Sequence, residues 1–241
     1  MNVWTPANDG AKRPVVFYNH GGGYATGSGG SLAQDGANLA RHFDVVVVET
    51  NHRLNIFGFL YLGAIAGEEY ATSGNNGILD IVEGLKWVKT NIAQFGGDPD
   101  NVMICGESGG GYKTSILYGM PAAAPYFNKA SIESGPGLRV NSLETAAMVA
   151  ELTLKELGIA KNDWRKLFEV PAEQLFTLQG QMNNFLQGKA LKKGERFGFA
   201  PVVDQVSILA HPFVPAAPAL SKEKPVMVGW NADEYIFFLM T

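Results

Sequence analysis

One short segment constrains this chain more than any other. The apolar run Val102-Met103-Ile104-Cys105 passes without a loop into Gly106-Glu107-Ser108-Gly109-Gly110-Gly111, and a helical stretch, 110–118, begins at once. A short continuous apolar run bounded in this way reads as a strand buried on both faces. A strand that turns straight into a helix takes its backbone through a conformation that side chains resist, so small residues are needed on either side of the bend. Gly106 and Gly110 stand two residues before and two after Ser108. The bend then lifts one hydroxyl from the carboxyl end of a sheet, beside the positive end of a helix.

The surrounding pattern supplies that sheet. Apolar runs at 15–19, 45–50, 102–105 and 130–132 alternate with helical patterns at 31–42, 76–95 and 110–118. In the second of these helices Ile78, Leu79, Ile81, Val82, Leu85, Trp87, Val88 and Ile92 recur largely at helical spacing, and Gly96-Gly97-Asp98-Pro99 ends it. Buried strands separated by helices predict an α/β architecture, mostly parallel, with helices on both faces. From 141 to 195 the pattern turns helical, with candidates at 146–157, 163–168 and 171–186, and reads as a cap or insertion on a single domain spanning 1–241. Strand signals return at 201–203 and 225–229. With 241 residues, 46% of them hydrophobic, the chain has material for one large core.

G-x-S-x-G between a strand and a helix is the setting of a nucleophile elbow, with Ser108 as the attacking residue. A phosphate-binding loop is the rival, but the lysine is Lys113, one residue late, with Tyr112 in its place. Gly21 to Thr26 lacks the last glycine of a dinucleotide fingerprint. A second glycine loop, His20-Gly21-Gly22-Gly23-Tyr24, follows the strand at 15–19. Acyl transfer builds negative charge on a carbonyl oxygen, and donors must be aimed at it beforehand. Glycines free backbone N–H groups for that task, which marks Gly22, Gly23 and Gly109 as an oxyanion hole. An incidental serine turn or a flexible loop would explain either motif alone, but not both in this order.

Net charge is −4 with no basic run, which argues against nucleic acid. No apolar stretch approaches the ~18 residues of a membrane span. Cys105 is the single cysteine, no N-x-[ST] sequon occurs, and the opening residues do not read as a signal peptide, so a cytoplasmic setting is expected. No ligand-spaced His, Cys or Asp cluster calls for a metal or a cofactor. Cys105 precedes the turn and reads as an inert strand residue. Trp4, Trp87 and Trp164 suit core or cap packing. Glu107 could stand at the pocket wall or be buried and hydrogen-bonded, with Arg53 as a structural partner for it.

The sequence resembles the type-B carboxylesterase family, relatives of the cholinesterases with an α/β-hydrolase fold. Asn2-Val3-Trp4-Thr5-Pro6, Asn51 to Leu60, Gly74-Asn75-Asn76-Gly77-Ile78-Leu79-Asp80, Phe95 to Pro99, Ser131 to Gly135 and Pro201 to Asp204 carry the likeness. Val228 to Phe238 is similar to the family's G-x-N-x-D-E-G-x-F-F segment, which implies that Glu234 is the triad acid, although Tyr235 stands where the family usually has glycine. From charge alone, Asp233-Glu234 is a solvated acidic pair. The resemblance implies a small-molecule ester substrate and a histidine after the acid. None follows Glu234: His20, His42, His52 and His211 all precede it. His20 lies in the glycine loop, His52 in a block without a catalytic role, His42 at an exposed helix end, and nothing in the context of His211 orients it. The simplest expectation is a fold truncated before its general base, weakly active or inactive alone. Its uncovered sheet edge would favour self-association. A non-catalytic hydrolase-fold interaction protein is the alternative. The apolar tail 235–240 should be packed or mark an artificial end.

Overall fold

The computed structural model describes residues 1–185, 195, 198–234 and 236. Among them six strands form one sheet: β1 (Asn2–Trp4), β2 (Arg13–Asn19), β3 (Val46–Glu49), β4 (Gly97–Glu107), β5 (Lys129–Glu133) and β6 (Val226–Gly229). Their order is β1-β3-β2-β4-β5-β6, with β1 antiparallel to β3 and the other pairs parallel. The chain therefore steps outward from β2 to β3, then crosses back over β2 to lay β4 on its other side. Between the carboxyl ends of β2 and β4 the direction of winding reverses, and crevices at such a switch point are where open α/β sheets bind ligands. The loop after β2 is the glycine loop, and the turn after β4 holds Ser108.

One face of the sheet is closed. Val15, Phe17, Val46, Val48, Val102, Ile104, Ala130 and Ile132 are buried there. They lie under α4 (Asn76–Asn91) and α5 (Gly109–Tyr118). The helix expected at 76–95 is α4 followed by a 3-10 turn, and it buries Ile78, Ile81, Val82, Leu85 and Val88 at helical spacing. Every residue of α5 but Tyr112 is buried, so this helix has no solvent face. Its polar residues are satisfied inside: Asn19 Nδ2 donates to Thr114 Oγ1 at 3.0 Å, and Ser115 accepts from the Gly137 N–H at 3.0 Å.

The opposite face carries α1 (Ala37–Phe43), which packs chiefly on β3. A side chain at Gly36 would lie 2.7 Å from Val47, so only glycine lets α1 sit this close. Toward β6 this face opens: Val16, Tyr18 and Met103 are half-buried, and Met227 is 65% exposed. The helix expected at 31–42 is thus broken, a 3-10 turn at Leu32–Gln34 preceding α1, with the Asp35 carboxylate accepting from the Ala37 N–H at 2.8 Å. Two short helices, α2 (Asn55–Phe59) and α3 (Gly63–Ala66), occupy a stretch for which no element was expected.

Residues 143–185 form α6 (Leu143–Glu156), a 3-10 segment (Lys161–Glu169) and α7 (Ala172–Phe185), which touch α2 and α3. Trp164 packs edge-on against Tyr70 at 4.9 Å, and Trp87 against Phe95 at 5.7 Å. The expected strand at 201–203 is absent. Val202 makes one bridge to Asn141, and its N–H and C=O are taken at 2.9 and 2.8 Å by the side-chain amide of Asn75. A side chain, not a neighbouring strand, satisfies that backbone. Residues 235 and 237–240 of the apolar tail lie outside the described residues, and Ile236 is half-exposed.

Candidate active site

Ser108 stands between β4 and α5 with φ 54° and ψ −117°, a region that non-glycine residues enter only under constraint. The constraint is visible in its neighbours. A side chain at Gly110 would lie 1.9 Å from the Asn19 carbonyl oxygen, and one at Gly106 2.6 Å from the same atom. On the other side, a side chain at Gly135 would lie 2.2 Å from the Ser108 carbonyl oxygen. The Ser108 N–H donates to the Glu133 carbonyl at 2.9 Å, and its carbonyl accepts from the Tyr112 N–H at 3.1 Å. The bend is therefore pinned from β2 and β5 while Ser108 stays half-buried.

The glycine loop meets this bend directly. A side chain at Gly109 would lie 2.3 Å from the Gly23 nitrogen, and one at Gly21 3.7 Å from Ser108 Cβ. Gly22 and Gly23 have φ of 85° and 63°, which suits glycine. The carbonyls of this loop are tied in succession. His20 O accepts from Lys113 Nζ at 2.9 Å, Gly21 O from the His20 ring Nδ1 at 2.8 Å, and Gly22 O from the Thr26 N–H at 3.0 Å. In a planar trans peptide the N–H points opposite to the C=O before it. Fixing carbonyls 20, 21 and 22 thus turns the N–H groups of Gly21, Gly22 and Gly23 away from those partners. Among the described residues none of these three N–H groups has a protein acceptor. Gly109 begins α5, so its N–H also lacks a partner within the helix.

Three carboxylates gather at the same end of the sheet. Glu107 reaches solvent beside Gly21, where a side chain would approach its Oε2 to 3.3 Å. Partial burial, then the charges of Glu234 and Glu133, raise its pKa. Glu234 follows β6 and is held low by a hydrogen bond from the Ser134 hydroxyl and one at 2.7 Å from the Asn231 N–H. It is not the freely solvated group that charge patterning alone describes. Arg53 does not reach Glu107. It forms a forked pair with Asp80 at 2.7 and 2.8 Å, which fastens the loop after β3 to α4.

The histidines are engaged elsewhere. His20 and His52 stack at 4.6 Å, and burial followed by the Lys113 charge lowers both, His20 to about 4. His42 is exposed on α1. His211 accepts from the Val140 N–H at 3.4 Å, and its neighbours Pro212 and Phe213 pack on Gly119 and Tyr118. That contact is at the far end of α5 from Ser108, a helix ~15 Å long. Cys105 is buried, its thiol pushed up to about 12 by burial. Among the described residues no three His, Cys, Asp or Glu side chains cluster as metal ligands, and no helix is long and apolar enough to cross a membrane.

A model of the carboxylesterase family matches residues 1–241. The chain belongs to the carboxylesterase family. It is 38% identical over 241 residues to a para-nitrobenzyl esterase of Bacillus subtilis (strain 168), covering 99% of this chain and 47% of that protein. Phenmedipham hydrolase of Pseudarthrobacter oxydans is 34% identical over 98% of the chain and 45% of its own length. In structure it matches the Geobacillus stearothermophilus carboxylesterase EST55 with TM-score 0.87 and 42% identity, over 99% of this chain and 49% of that one. The fold is that of an α/β-hydrolase, and the chain spans about half the length of these relatives.

Two residues of the site escaped sequence reading. Lys113 registers there only as a misfit to a phosphate loop, and its burial follows from α5 having no solvent face. Ser134, at φ 49° after β5, meets Glu234 only once β6 pairs with β5.

Proposed function

We propose that this chain carries the nucleophile half of a carboxylic-ester hydrolase acting through an acyl-enzyme. The carrying observation is the glycine loop, whose three consecutive carbonyls are tied back so that its amides are left beside the raised Ser108. In this reading Ser108 Oγ attacks the acyl carbon of a small ester. The tetrahedral oxyanion is received by the N–H groups of Gly22, Gly23 and Gly109, already oriented before charge develops. The helix terminus of α5 adds a favourable dipole. Glu234, steadied by Ser134 and Asn231, is the acid that would orient a histidine base. No histidine of this chain is placed for that role.

Residues 1–241 then form one incomplete hydrolase domain, with 141–195 as its helical cap. The exposed β6 edge supports self-association, and the lone buried cysteine suits a cytoplasmic setting.

The test is hydrolysis of p-nitrophenyl acetate by the isolated chain. Without a placed base, the expected rate is slow and Ser108-dependent, near the roughly 10³–10⁴-fold residual that oxyanion stabilisation and binding leave over water. Turnover that survives Ser108→Ala would overturn the assignment. Robust turnover lost in both Ser108→Ala and His211→Ala would mean that a different base is in place.

A further inference from the structure

Lys113 is fully buried on α5, and its only hydrogen bond among the described residues is to the carbonyl of His20. Burial lowers its pKa to about 7. An ammonium in such a place costs several kcal/mol unless paired, and among the described residues no carboxylate faces it. The titratable groups against it are the stacked rings of His20 and His52, both depressed by burial and then by its charge. A methionine of similar length would fill the space at lower cost, so packing does not account for a lysine.

Its one bond falls at a telling place. His20 is the residue from which the glycine loop departs, and Lys113 lies five residues after Ser108 on the helix that begins at the bend. The bond thus links the two backbone stretches whose amides the proposed reaction uses. It also sets the first of the three tied peptide planes, on which the planes of Gly21 and Gly22 are built. The other two ties, from the His20 ring and from Thr26, are internal to the loop. Of the three carbonyl ties, the one from Lys113 comes from α5.

We propose that Lys113 is the positioning residue of the oxyanion loop, holding the His20 carbonyl so that the Gly22 and Gly23 amides face the bend at Ser108. This rests on the hydrolase reading above. The lysine touches neither substrate nor the reacting atoms, so its effect falls on the reactive step rather than on binding.

The test is the rate of covalent modification by an alkyl fluorophosphonate, resolved into kinact and KI, for the full chain and two variants. Lys113→Met removes the donor, and kinact is expected to fall about tenfold, a part of what losing an oxyanion donor outright costs, with KI unchanged. Lys113→Gln keeps an N–H donor and should recover most of that loss. Equal kinact in Lys113→Met and wild type overturns the proposal, as does a glutamine variant no better than the methionine one. So does a change in KI alone, which a merely loosened pocket would give. If Lys113→Met does not fold, the glutamine variant decides: kinact within about threefold of wild type supports the clamp, and a larger fall in a folded protein refutes it. A wild-type chain that takes no label at Ser108 instead removes the hydrolase reading itself, and the clamp with it.

Discussion

The two ends of the proposed catalytic apparatus are built to different standards. Around Ser108 three backbone stretches press together so closely that single methyl groups do not fit: the carbonyl of Asn19 lies against Gly106 and Gly110, Gly23 against Gly109, and Gly135 against Ser108. Around Glu234 nothing comparable exists. The carboxylate follows β6, a strand whose four residues are all exposed and whose ladder, among the described residues, runs to β5 alone. Ser108 and the glycine amides beside it are over-determined by packing, whereas Glu234 rests on the Ser134 hydroxyl and on Asn231. The bend at Ser108 is thus finished while Glu234 lies on an open margin of the sheet.

The sharpest way to break this contrast is to add methyl groups. Gly110→Ala should destabilise the chain by about 3 kcal/mol, since the carbonyl it meets is backbone and cannot move aside. Gly180→Ala, on α7 with no atom within 4 Å, should instead stabilise by about 0.5–1 kcal/mol through helix propensity. Urea midpoints of the two variants check both signs, and a tolerated Gly110→Ala would mean that the bend is looser than described.

A middle-sized effect concerns the stacked imidazoles behind the glycine loop. Unfolded, His20 and His52 protonate below their ordinary 6.5, while folded His20 resists until about 4 and His52 lower still. Below 6.5 the unfolded state therefore binds more protons, so their contribution is intact above 6.5 and is lost as pH falls toward 4. Between pH 7 and pH 5 the loss should be on the order of 2 kcal/mol. His52→Phe, which keeps the stack, should flatten that dependence in denaturation measured across the range. An unchanged slope would contradict it.

The smallest effect is expected at the margin. Met227→Lys on β6 should cost less than about 0.5 kcal/mol. Ile132→Ala, one strand inward and fully buried, should cost about 3 kcal/mol. Met227→Lys should also reduce self-association in sedimentation velocity, and an unaltered profile would remove β6 as the contact.

What could be read from sequence follows from how local each feature is. The bend at 108 was legible because strand, glycine spacing and helix are consecutive. The glycine loop was legible because it follows its own strand. The strand at 201–203 was misread, since an apolar run does not disclose that Asn75, 127 residues away, will occupy its hydrogen bonds. The break at Asp35-Gly36 was missed because it comes from close packing on Val47, not from local preference. The switch point between β2 and β4 depends on strand order, which no local pattern encodes. Lys113 was legible only as an error of register, because its meaning lies in a carbonyl 93 residues earlier.

The most direct measurement is peptide mapping of the chain after treatment with a fluorophosphonate. Ser108 should carry the adduct, with Ser134 and Ser115 unmodified, and Ser108→Ala should take up none. Label spread over other serines, or a Ser108 left untouched in a folded chain, would mean that the tied-back loop does not present its amides to the hydroxyl.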